Sequence, residues 1–357
     1  MATLTPGVVT GDAYLTLLDA CRREGYALPA VNVVGTNSIN AVLEAAAEAQ
    51  SDVIVQLSNG GAQFFAGKGM PDAGTAKVVG AVSAARHVHL MAEHYGVCVV
   101  LHTDHANRKL IPWVEAMVEW GERHHAETGK PLFSSHMLDL SADPLDFNLA
   151  QSKRMLERLT PLGMSLEIEL GVTGGEEDGV GHDIDDSADN SHLYTQPEDV
   201  LQAWQLLSPI GHFSIAASFG NVHGVYKPGN VQLRPEILRD SQALVHKTCD
   251  TGELPLDLVF HGGSGSEESK IREAVAYGVF KMNIDTDTQF AFAKPVGGYV
   301  NENPRAFVHQ LDPDSGKPYK KQYDPRAWLR QGERGVVARL QSSFEVLGAT
   351  GRSLAHR

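Results

Sequence analysis

Short apolar runs alternate along the chain with segments of helical periodicity. Eight runs predict β-strands, at 27–34, 52–58, 98–105, 133–140, 165–171, 212–220, 256–263 and 279–286. The segments between them, such as 38–50 and 270–278, carry Ala, Leu and Glu at i, i+3, i+4 spacing, which is typical of amphipathic helices. Strand–helix alternation predicts a parallel sheet, and eight repeats favour closure into a barrel. We therefore predict an α/β fold of the (β/α)8 TIM-barrel type, as a single domain over residues 1–357 with extra loops and C-terminal helices.

Two stretches lack this regular pattern. Residues 174–192 are acidic and glycine-rich, which predicts either a disordered surface loop or a mobile lid above the barrel. Residues 292–326 contain several Pro and Gly residues and predict a long loop ahead of a final helix that begins near Pro325.

Most of the predicted strands end in polar residues at their C-terminal side. These residues are Asn32, Ser58, Asp104, His105, Asp139, Glu169, His261, Asn283 and Asp285, and His223 lies just beyond the sixth strand. A single polar residue there could simply mark where a strand leaves the core. The repetition over the barrel, with three histidines, favours an active site at the C-terminal rim, where barrel enzymes carry theirs.

The three rim histidines, His105, His223 and His261, predict a metal site. Imidazoles from different strands can converge above the barrel axis and leave a fourth position open, as in catalytic zinc sites. Each of them alone could equally be a hydrogen-bonded rim residue, since the chain has 16 histidines. The histidines of the segment HVHLMAEH (87–94) have spacings that suit a solvated helix face better than a shared metal.

Two acidic residues of the fifth strand, Glu167 and Glu169, share one face of that strand. Carboxylates that face into a barrel need a cation, a hydrogen-bonding partner or a shifted pKa. Glu169 with Asp139 could hold a second divalent ion, or the acids could form a salt bridge with Lys281. The spacing alone supports both alternatives equally.

Glycine-rich segments at the rim predict phosphate sites. HGGSGSEES (261–269) leads from the seventh strand into a helix, where backbone N–H groups and the helix N-terminus favour an anion. VQLSNGGAQFFAGKG (55–69) is a second such segment, and Arg326 is a bidentate donor suited to another phosphate. Two anion sites beside one metal suggest a bisphosphate substrate.

The overall charge narrows the range of partners. The 357 residues carry a formal net charge of −14, which argues against nucleic-acid and anionic-membrane partners.

The three cysteines form no CxxC motif, which suits a reducing compartment. The N-terminus does not resemble a signal peptide, and no apolar stretch reaches the length of a membrane span. We therefore expect a cytoplasmic protein.

Six segments occur in an order that resembles the class II fructose-bisphosphate aldolases. They are HTDH (102–105), FSSHMLDLS (133–141), LEIELGVTGGEEDG (166–179), AASFGNVHGVYKPGNV (216–231), FHGGSGS (260–266) and KMNIDTDTQ (281–289). The chain is similar to the longer subgroup (class IIA), which carries the GGEEDG loop and a YDPR segment before the last helix. The resemblance covers about residues 8 to 345.

The resemblance implies a role for each matching residue. The zinc ligands would be His105, His223 and His261, with Asp139 and Glu169 at a second or alternative metal position. Asp104 would be the acid/base at the C4 oxygen, Glu177 would exchange the C–H proton, and Asn32 would orient the transition state. Dihydroxyacetone phosphate would contact the rim residues Gly224, Gly262, Gly263, Ser264, Asn283, Ile284, Asp285 and Thr286. Ser58 would contact glyceraldehyde 3-phosphate, and Arg326 would reach the far phosphate in the neighbouring subunit's site.

The implied reaction is reversible cleavage of D-fructose 1,6-bisphosphate to dihydroxyacetone phosphate and D-glyceraldehyde 3-phosphate, in glycolysis and gluconeogenesis. Zinc would polarise the ketose carbonyl and stabilise the enediolate. A homodimer and a monovalent cation (Na⁺ or K⁺) near Gly224 and Gly262 are implied as well. The alternatives are tagatose-1,6-bisphosphate cleavage within the same family, a Schiff-base aldolase that uses Lys281, a zinc hydrolase and a non-catalytic binding protein.

Overall fold

The computed structural model describes residues 3–177, 180–182, 194–223, 233–263 and 265–356. For 174–177, 180–182 and 222–223 it describes the backbone alone. Within the part of the chain that is described, no helix combines the length and the apolar composition needed to cross a bilayer.

Eight parallel strands form a closed barrel. They are β1 (Leu28–Asn32), β2 (Val53–Leu57), β3 (Cys98–Thr103), β4 (Ser135–Leu138), β5 (Ser165–Leu170), β6 (Phe213–Ala217), β7 (Leu258–Phe260) and β8 (Val279–Ile284). Each strand pairs with its sequence neighbours, β8 pairs with β1, and the pairing of β3 with β4 completes the circle. Each of the eight barrel strands lies within a predicted one, so the predicted (β/α)8 TIM barrel is confirmed.

The helices surround this barrel. They are α1 (Asp12–Glu24), α2 (Thr36–Ala49), α3 (Asn59–Ala66), α4 (Ala73–Tyr95), α5 (Ile111–Thr128), α6 (Leu145–Leu159), α7 (Pro197–Leu207), α8 (Glu236–Cys249), α9 (Glu268–Ala276), α10 (Thr286–Glu302), α11 (Lys320–Tyr323) and α12 (Pro325–Val346). Short 3₁₀ turns lie at Arg108–Leu110, Thr160–Leu162, Pro304–Phe307 and Leu354–His356. Four further short strands, Gly7–Val8, Gly174–Glu177, Val180–His182 and Val222–His223, lie outside the barrel circle.

The two faces of the strands differ in chemistry. In β5, Leu166 and Ile168 are fully buried in the hydrophobic core cluster, as expected for a parallel sheet whose outer face is covered by helices. The alternate positions carry Glu167 and Glu169, which are equally buried. The same alternation in β8 buries Lys281. The apolar core therefore supports the fold from outside the strands, and the barrel interior holds a polar network.

The N-terminal end of the barrel is closed by polar cross-links. Asp52, just before β2, accepts hydrogen bonds from the Ser353 hydroxyl and the Leu354 backbone N–H, both at 2.9 Å. Asp257, just before β7, accepts from Arg22 at 2.7 Å and contacts His212 at 2.8 Å. These contacts fix the end opposite the predicted site, which is where barrel proteins place their stabilising residues.

The predicted loop over 292–326 is wrong in its first third. Helix α10 continues to Glu302 through Pro295, although the predicted start of the final helix at Pro325 is confirmed. Pro295 has no N–H to donate to the carbonyl of Ala291, four residues earlier. That carbonyl lies against Gly335 of α12, and the Phe292 ring lies against Gly332. Packing against two glycines of α12 stabilises α10 despite the proline, and no local signal in 292–326 shows this.

We expect Gly335→Ala to destabilise the protein. A Cβ atom at this position would lie 2.0 Å from the backbone oxygen of Ala291 and 2.8 Å from Pro295, so α10 and α12 would have to separate. Overpacking of this kind costs about 1–3 kcal/mol. Gly298→Ala in α10 is the matched control, because a Cβ there meets nothing within 4 Å. It should be neutral or stabilising by about 0.5–1 kcal/mol. Urea unfolding curves measure both, and an unchanged midpoint for Gly335→Ala would contradict the packing argument.

Candidate active site

The predicted site residues converge at the C-terminal rim of the barrel. Asn32 ends β1, Asp104 and His105 follow β3, and His261 follows β7. Asp104 and His261 are fully buried, while His105 is partly exposed toward the rim. Side-chain atoms of Asp104, His105 and His261 lie within 4.8 Å of one another, in a group that could hold a metal ion.

The two histidines meet directly. His105 Nε2 lies 2.8 Å from His261 Nδ1, and the rings are perpendicular with centroids 4.5 Å apart. His105 has a φ of +22°, a backbone conformation that non-glycine residues rarely adopt and that is often found at functional sites. Two nitrogens bound to one tetrahedral zinc at 2.0–2.1 Å would be roughly 3.3 Å apart, so only a small adjustment separates this contact from shared coordination.

The outer nitrogens of the two rings show that the pair fits a cation. His261 Nε2 lies 2.7 Å from Glu167 Oε1, and His105 Nδ1 lies 3.1 Å from Asp139 Oδ2. An ionised carboxylate only accepts hydrogen bonds, so both outer nitrogens carry hydrogen when the rings are neutral. The facing nitrogens, His105 Nε2 and His261 Nδ1, then both present lone pairs. A metal ion between them satisfies both, in the carboxylate–histidine–metal arrangement common in zinc sites.

The third predicted ligand, His223, is described in its backbone alone. The strand Val222–His223 pairs in parallel with Gly174–Glu177, with His223 opposite Gly175. This pairing brings the segment that carries His223 beside the first part of the acidic segment. The side chains of His223 and Glu177, and all of Gly224 and Ser264, lie outside the described residues.

A second group of possible ligands consists of His105, Asp139 and Glu169. Glu169 Oε2 lies 3.7 Å from His105 Nδ1 and, among the described residues, has no hydrogen-bond partner. Burial and the neighbouring Asp139 carboxylate raise the pKa of Glu169 well above its usual value. Burial acts in the same direction on Asp139, but the hydrogen bonds from His105 and Ser141 help to outweigh it and lower the pKa of Asp139. A cation here would offset the repulsion between the two carboxylates.

Lys281 resolves the alternative that the sequence left open. Its ammonium group lies 2.8 and 3.0 Å from the two oxygens of Glu167. Burial disfavours the ionised form of Glu167, but the charge of Lys281 and the hydrogen bond from His261 help to outweigh it and hold the pKa of Glu167 below its usual value. The salt bridge therefore belongs to Glu167, and Glu169 belongs to the possible metal group.

Asp104 is held by three side-chain amides. Asn32 Nδ2 and Gln56 Nε2 donate to Oδ2 at 3.0 and 2.9 Å, and Asn283 Nδ2 donates to Oδ1 at 3.2 Å. Gln56 Nε2 also contacts Asn32 Oδ1. All of these donors are neutral, so they fix the orientation of the carboxylate without adding a charge. Asp104 is thus rigidly placed beside the two histidines.

Two short connections, after β7 and β8, form the part of the rim where the sequence predicts a phosphate site. Gly262 has a φ of +62°, which favours glycine, and a Cβ on Gly263 would lie 2.8 Å from the Met282 side chain, which would have to move. Helix α10 begins at Thr286, directly after β8, and its preceding residue is Asp285. The Ile284 side chain is buried in the core, so Ile284 can contact a ligand at the rim only through its backbone. Backbone N–H groups at such a rim suit an anion.

A cavity of about 290 Å³ opens beside Asn32. Its other lining residues include Ser58, Gly61, Lys68, Asp285 and Gln289. Ser58 is the N-cap of α3, where its hydroxyl accepts from the Gly61 N–H at 3.0 Å. Lys68 is the one cation among the lining residues described. The described lining therefore combines neutral polar groups with one positive charge, from Lys68, and one negative charge, from Asp285.

Arg326 does not line this cavity. Its guanidinium pairs with Asp324 at 2.7 Å at the start of α12, and its side chain is 88% exposed. Within one chain, Arg326 therefore forms its ion pair with Asp324, two residues before it.

Several residues that hold this site together were not predicted from the sequence. Gln56 braces Asp104, Thr173 donates to Glu169 Oε1 at 2.8 Å, and the Asn221 side chain donates to the His261 backbone oxygen at 2.9 Å. Gln56 was detectable, because it lies two residues before Ser58 and so shares the inward face at the end of β2. Thr173 and Asn221 lie in loops, where no periodicity identifies their contacts.

The chain is similar to known proteins over almost its whole length. The family model described as "Fructose-bisphosphate aldolase class-II" matches residues 12–352. The fructose-bisphosphate aldolase class 2 of Escherichia coli (strain K12) is 54% identical over 354 residues, covering 96% of both chains. A Campylobacter jejuni fructose-bisphosphate aldolase is 54% identical over 351 residues, covering 97% of this chain and 98% of that one. A crystal structure of the fructose-bisphosphate aldolase from Campylobacter jejuni superposes with a TM-score of 0.89 at 51% identity, covering 99% of this chain and 100% of that one.

Proposed function

The chain belongs to the class II fructose-bisphosphate aldolase family, and from this premise we propose that it cleaves D-fructose 1,6-bisphosphate reversibly to dihydroxyacetone phosphate and D-glyceraldehyde 3-phosphate. The observation that carries the proposal is that His105 Nε2 and His261 Nδ1 face each other, while the other nitrogen of each ring is hydrogen-bonded to a carboxylate. This pair fits a zinc ion, with His223 as the third ligand. When bound, zinc supplies the electrophile that polarises the ketose carbonyl and offsets the negative charge left by carbon–carbon cleavage.

Asp104 is the base for cleavage in this proposal. The C4 hydroxyl must lose its proton as the C3–C4 bond breaks, and a carboxylate held in hydrogen-bond reach can accept it. The amides of Asn32, Gln56 and Asn283 keep Asp104 in place as its charge changes. In the condensation direction Asp104 returns this proton to the aldehyde oxygen.

Glu177 handles the second proton. After cleavage the carbon that was C3 must be protonated to give dihydroxyacetone phosphate, and the GGEEDG segment carries Glu177 for that step. The backbone pairing of Gly174–Glu177 with Val222–His223 supports this assignment, because it brings the segment beside the strand of a zinc ligand. Closure of the segment over the rim would keep water from the reacting carbon.

The two phosphates are assigned to the two sides of the rim. The loop from Gly262 to Ser264, Gly224 and the run 283–286 would bind the phosphate of dihydroxyacetone phosphate through backbone N–H groups. Ser58 and the cavity beside it would take the glyceraldehyde 3-phosphate portion. We assign Arg326 to the far phosphate in a neighbouring subunit's site, which agrees with its exposed side chain and requires an oligomer, for which we propose a homodimer.

Asp139 and Glu169 would hold a second divalent ion or an alternative position of the zinc. A monovalent cation near Gly224 and Gly262, and a role in cytoplasmic glycolysis and gluconeogenesis, complete the proposal.

We expect EDTA to abolish cleavage and added zinc to restore it. Borohydride with substrate should not inactivate the enzyme, because a Schiff base needs a free amine and Lys281 Nζ is buried between the two oxygens of Glu167. A coupled assay of triose phosphate release measures both effects. Turnover that persists in EDTA together with inactivation by borohydride would instead support the Lys281 mechanism. An absence of triose phosphate release with zinc present would support a hydrolase or a binding protein.

The choice of fructose over tagatose bisphosphate depends on the C4 configuration. Asp104 is fixed by three amides, so one orientation of the C4 hydroxyl should be strongly preferred. Steady-state kcat/KM for both bisphosphates is the direct test. Equal or higher kcat/KM for tagatose 1,6-bisphosphate would assign the chain to the alternative activity.

A further inference from the structure

Lys281 is a charged group that the proposed reaction does not use. It is 2% exposed in the barrel interior, and both oxygens of its partner Glu167 lie within 3.0 Å of its ammonium group. Burying an ion pair costs desolvation free energy that its attraction only partly offsets. Apolar residues of similar volume would fill the same space, so the pair calls for a function beyond stability.

Glu167 connects this ammonium group to the zinc site. Its Oε1 accepts from His261 Nε2 at 2.7 Å, and its Oε2 lies 3.4 Å from His102 Nε2. His102 Nδ1 in turn lies 2.7 Å from the Ser135 hydroxyl, which is hydrogen-bonded with Tyr14 of α1. A buried polar column therefore runs through the barrel from α1 to His261.

We propose that Lys281 is a positioning residue for His261. A carboxylate side chain can rotate about its terminal bond, and two contacts from one ammonium group hold Glu167 in a single orientation. In that orientation Oε1 keeps hydrogen on Nε2 of His261 and directs the Nδ1 lone pair toward His105. The ring is thus oriented before metal binds. The inference rests on the proposed function, because it assumes that His261 Nδ1 is a zinc ligand.

The Lys281→Met variant tests the role of the ammonium group at nearly constant side-chain length. We expect zinc affinity to fall on the order of 10- to 100-fold, the usual loss when an outer-shell residue that orients a metal ligand is substituted. The absorption spectrum of the cobalt-substituted protein should also change, because the ring orientation at the metal changes. Competition with a fluorescent chelator measures the zinc dissociation constant.

A double variant keeps the test decisive if Lys281→Met folds poorly. Lys281→Met with Glu167→Gln removes both charges and leaves a side-chain oxygen that can accept from His261. It should still bind zinc more weakly than the wild type, because nothing anchors the amide. Wild-type zinc affinity in the double variant would overturn the positioning role and leave the pair a structural one.

Asp52→Asn is the matched control, a buried carboxylate at the opposite end of the barrel that bonds to Ser353 and Leu354. It should lower the unfolding midpoint without changing zinc affinity. Wild-type protein measured in parallel distinguishes a failure of the proposed function from a failure of the positioning role. If the wild type fails to bind zinc, the proposed function itself is wrong. If the wild type binds zinc and Lys281→Met binds it equally well, only the positioning role is wrong.

Discussion

His261→Ala is expected to lose stoichiometric zinc and to lower kcat/KM by on the order of 10³-fold or more. The substitution removes the lone pair that faces His105 Nε2, leaving the zinc with fewer protein ligands. Electrophilic stabilisation by a metal contributes several kcal/mol to the transition state, and each 1.36 kcal/mol is about a factor of ten in rate. Metal analysis of the dialysed protein and steady-state kinetics give the two readouts.

His87→Ala is the matched control for His261→Ala. His87 lies on α4, where its Nε2 contacts the Asn40 side chain at 2.9 Å. It belongs to the histidine-rich segment 87–94, whose spacing does not predict a metal site. We expect wild-type zinc content and kinetics from it. If His261→Ala retained full zinc content and activity, the facing histidine pair would not be the metal site.

The barrel and its rim were predictable because their signals are local and repeated. A buried parallel strand is a short apolar run whatever its partners are, and eight of them with intervening helices leave few alternatives. Closure of the barrel then brings His105 and His261 together although they are 156 positions apart. The prediction required only that both lie at the C-terminal ends of strands.

Other features of the fold and the site depend on contacts between distant residues, which no local sequence pattern predicts. Pro295 indicates a helix break, yet α10 continues because Gly332 and Gly335 let α12 approach closely. The spacing of Glu167 and Glu169 placed both in the barrel but could not decide which one meets Lys281, since that depends on the stagger between β5 and β8. The positive φ of His105 likewise has no signal in the sequence, because only a small share of histidines adopt this backbone conformation.

Asp104→Asn is expected to lower kcat for cleavage about 10²- to 10⁴-fold, the range attributed to a general acid/base. The amide cannot take up the C4 hydroxyl proton. Its NH₂ group would also replace one carboxylate oxygen, which now accepts a hydrogen bond from Asn32, Gln56 or Asn283, with a second donor. Zinc content should stay at the wild-type level, because the proposed zinc ligands are His105, His223 and His261, and the substitution removes none of them. Loss of zinc from this variant would make Asp104 a metal ligand instead of the base.

The two proton transfers give this variant a sharper readout than overall turnover. Exchange of the C–H proton of dihydroxyacetone phosphate with deuterated solvent requires Glu177 and zinc but no C4 hydroxyl, so Asp104→Asn should retain most of it while losing cleavage. Asp257→Asn, which alters a buried carboxylate bonded to Arg22 near the far end of the barrel, should keep both activities. If exchange fell in parallel with cleavage in Asp104→Asn, the separate roles of Asp104 and Glu177 would be refuted. Asp104 would then act on zinc binding or on the carbon acid itself.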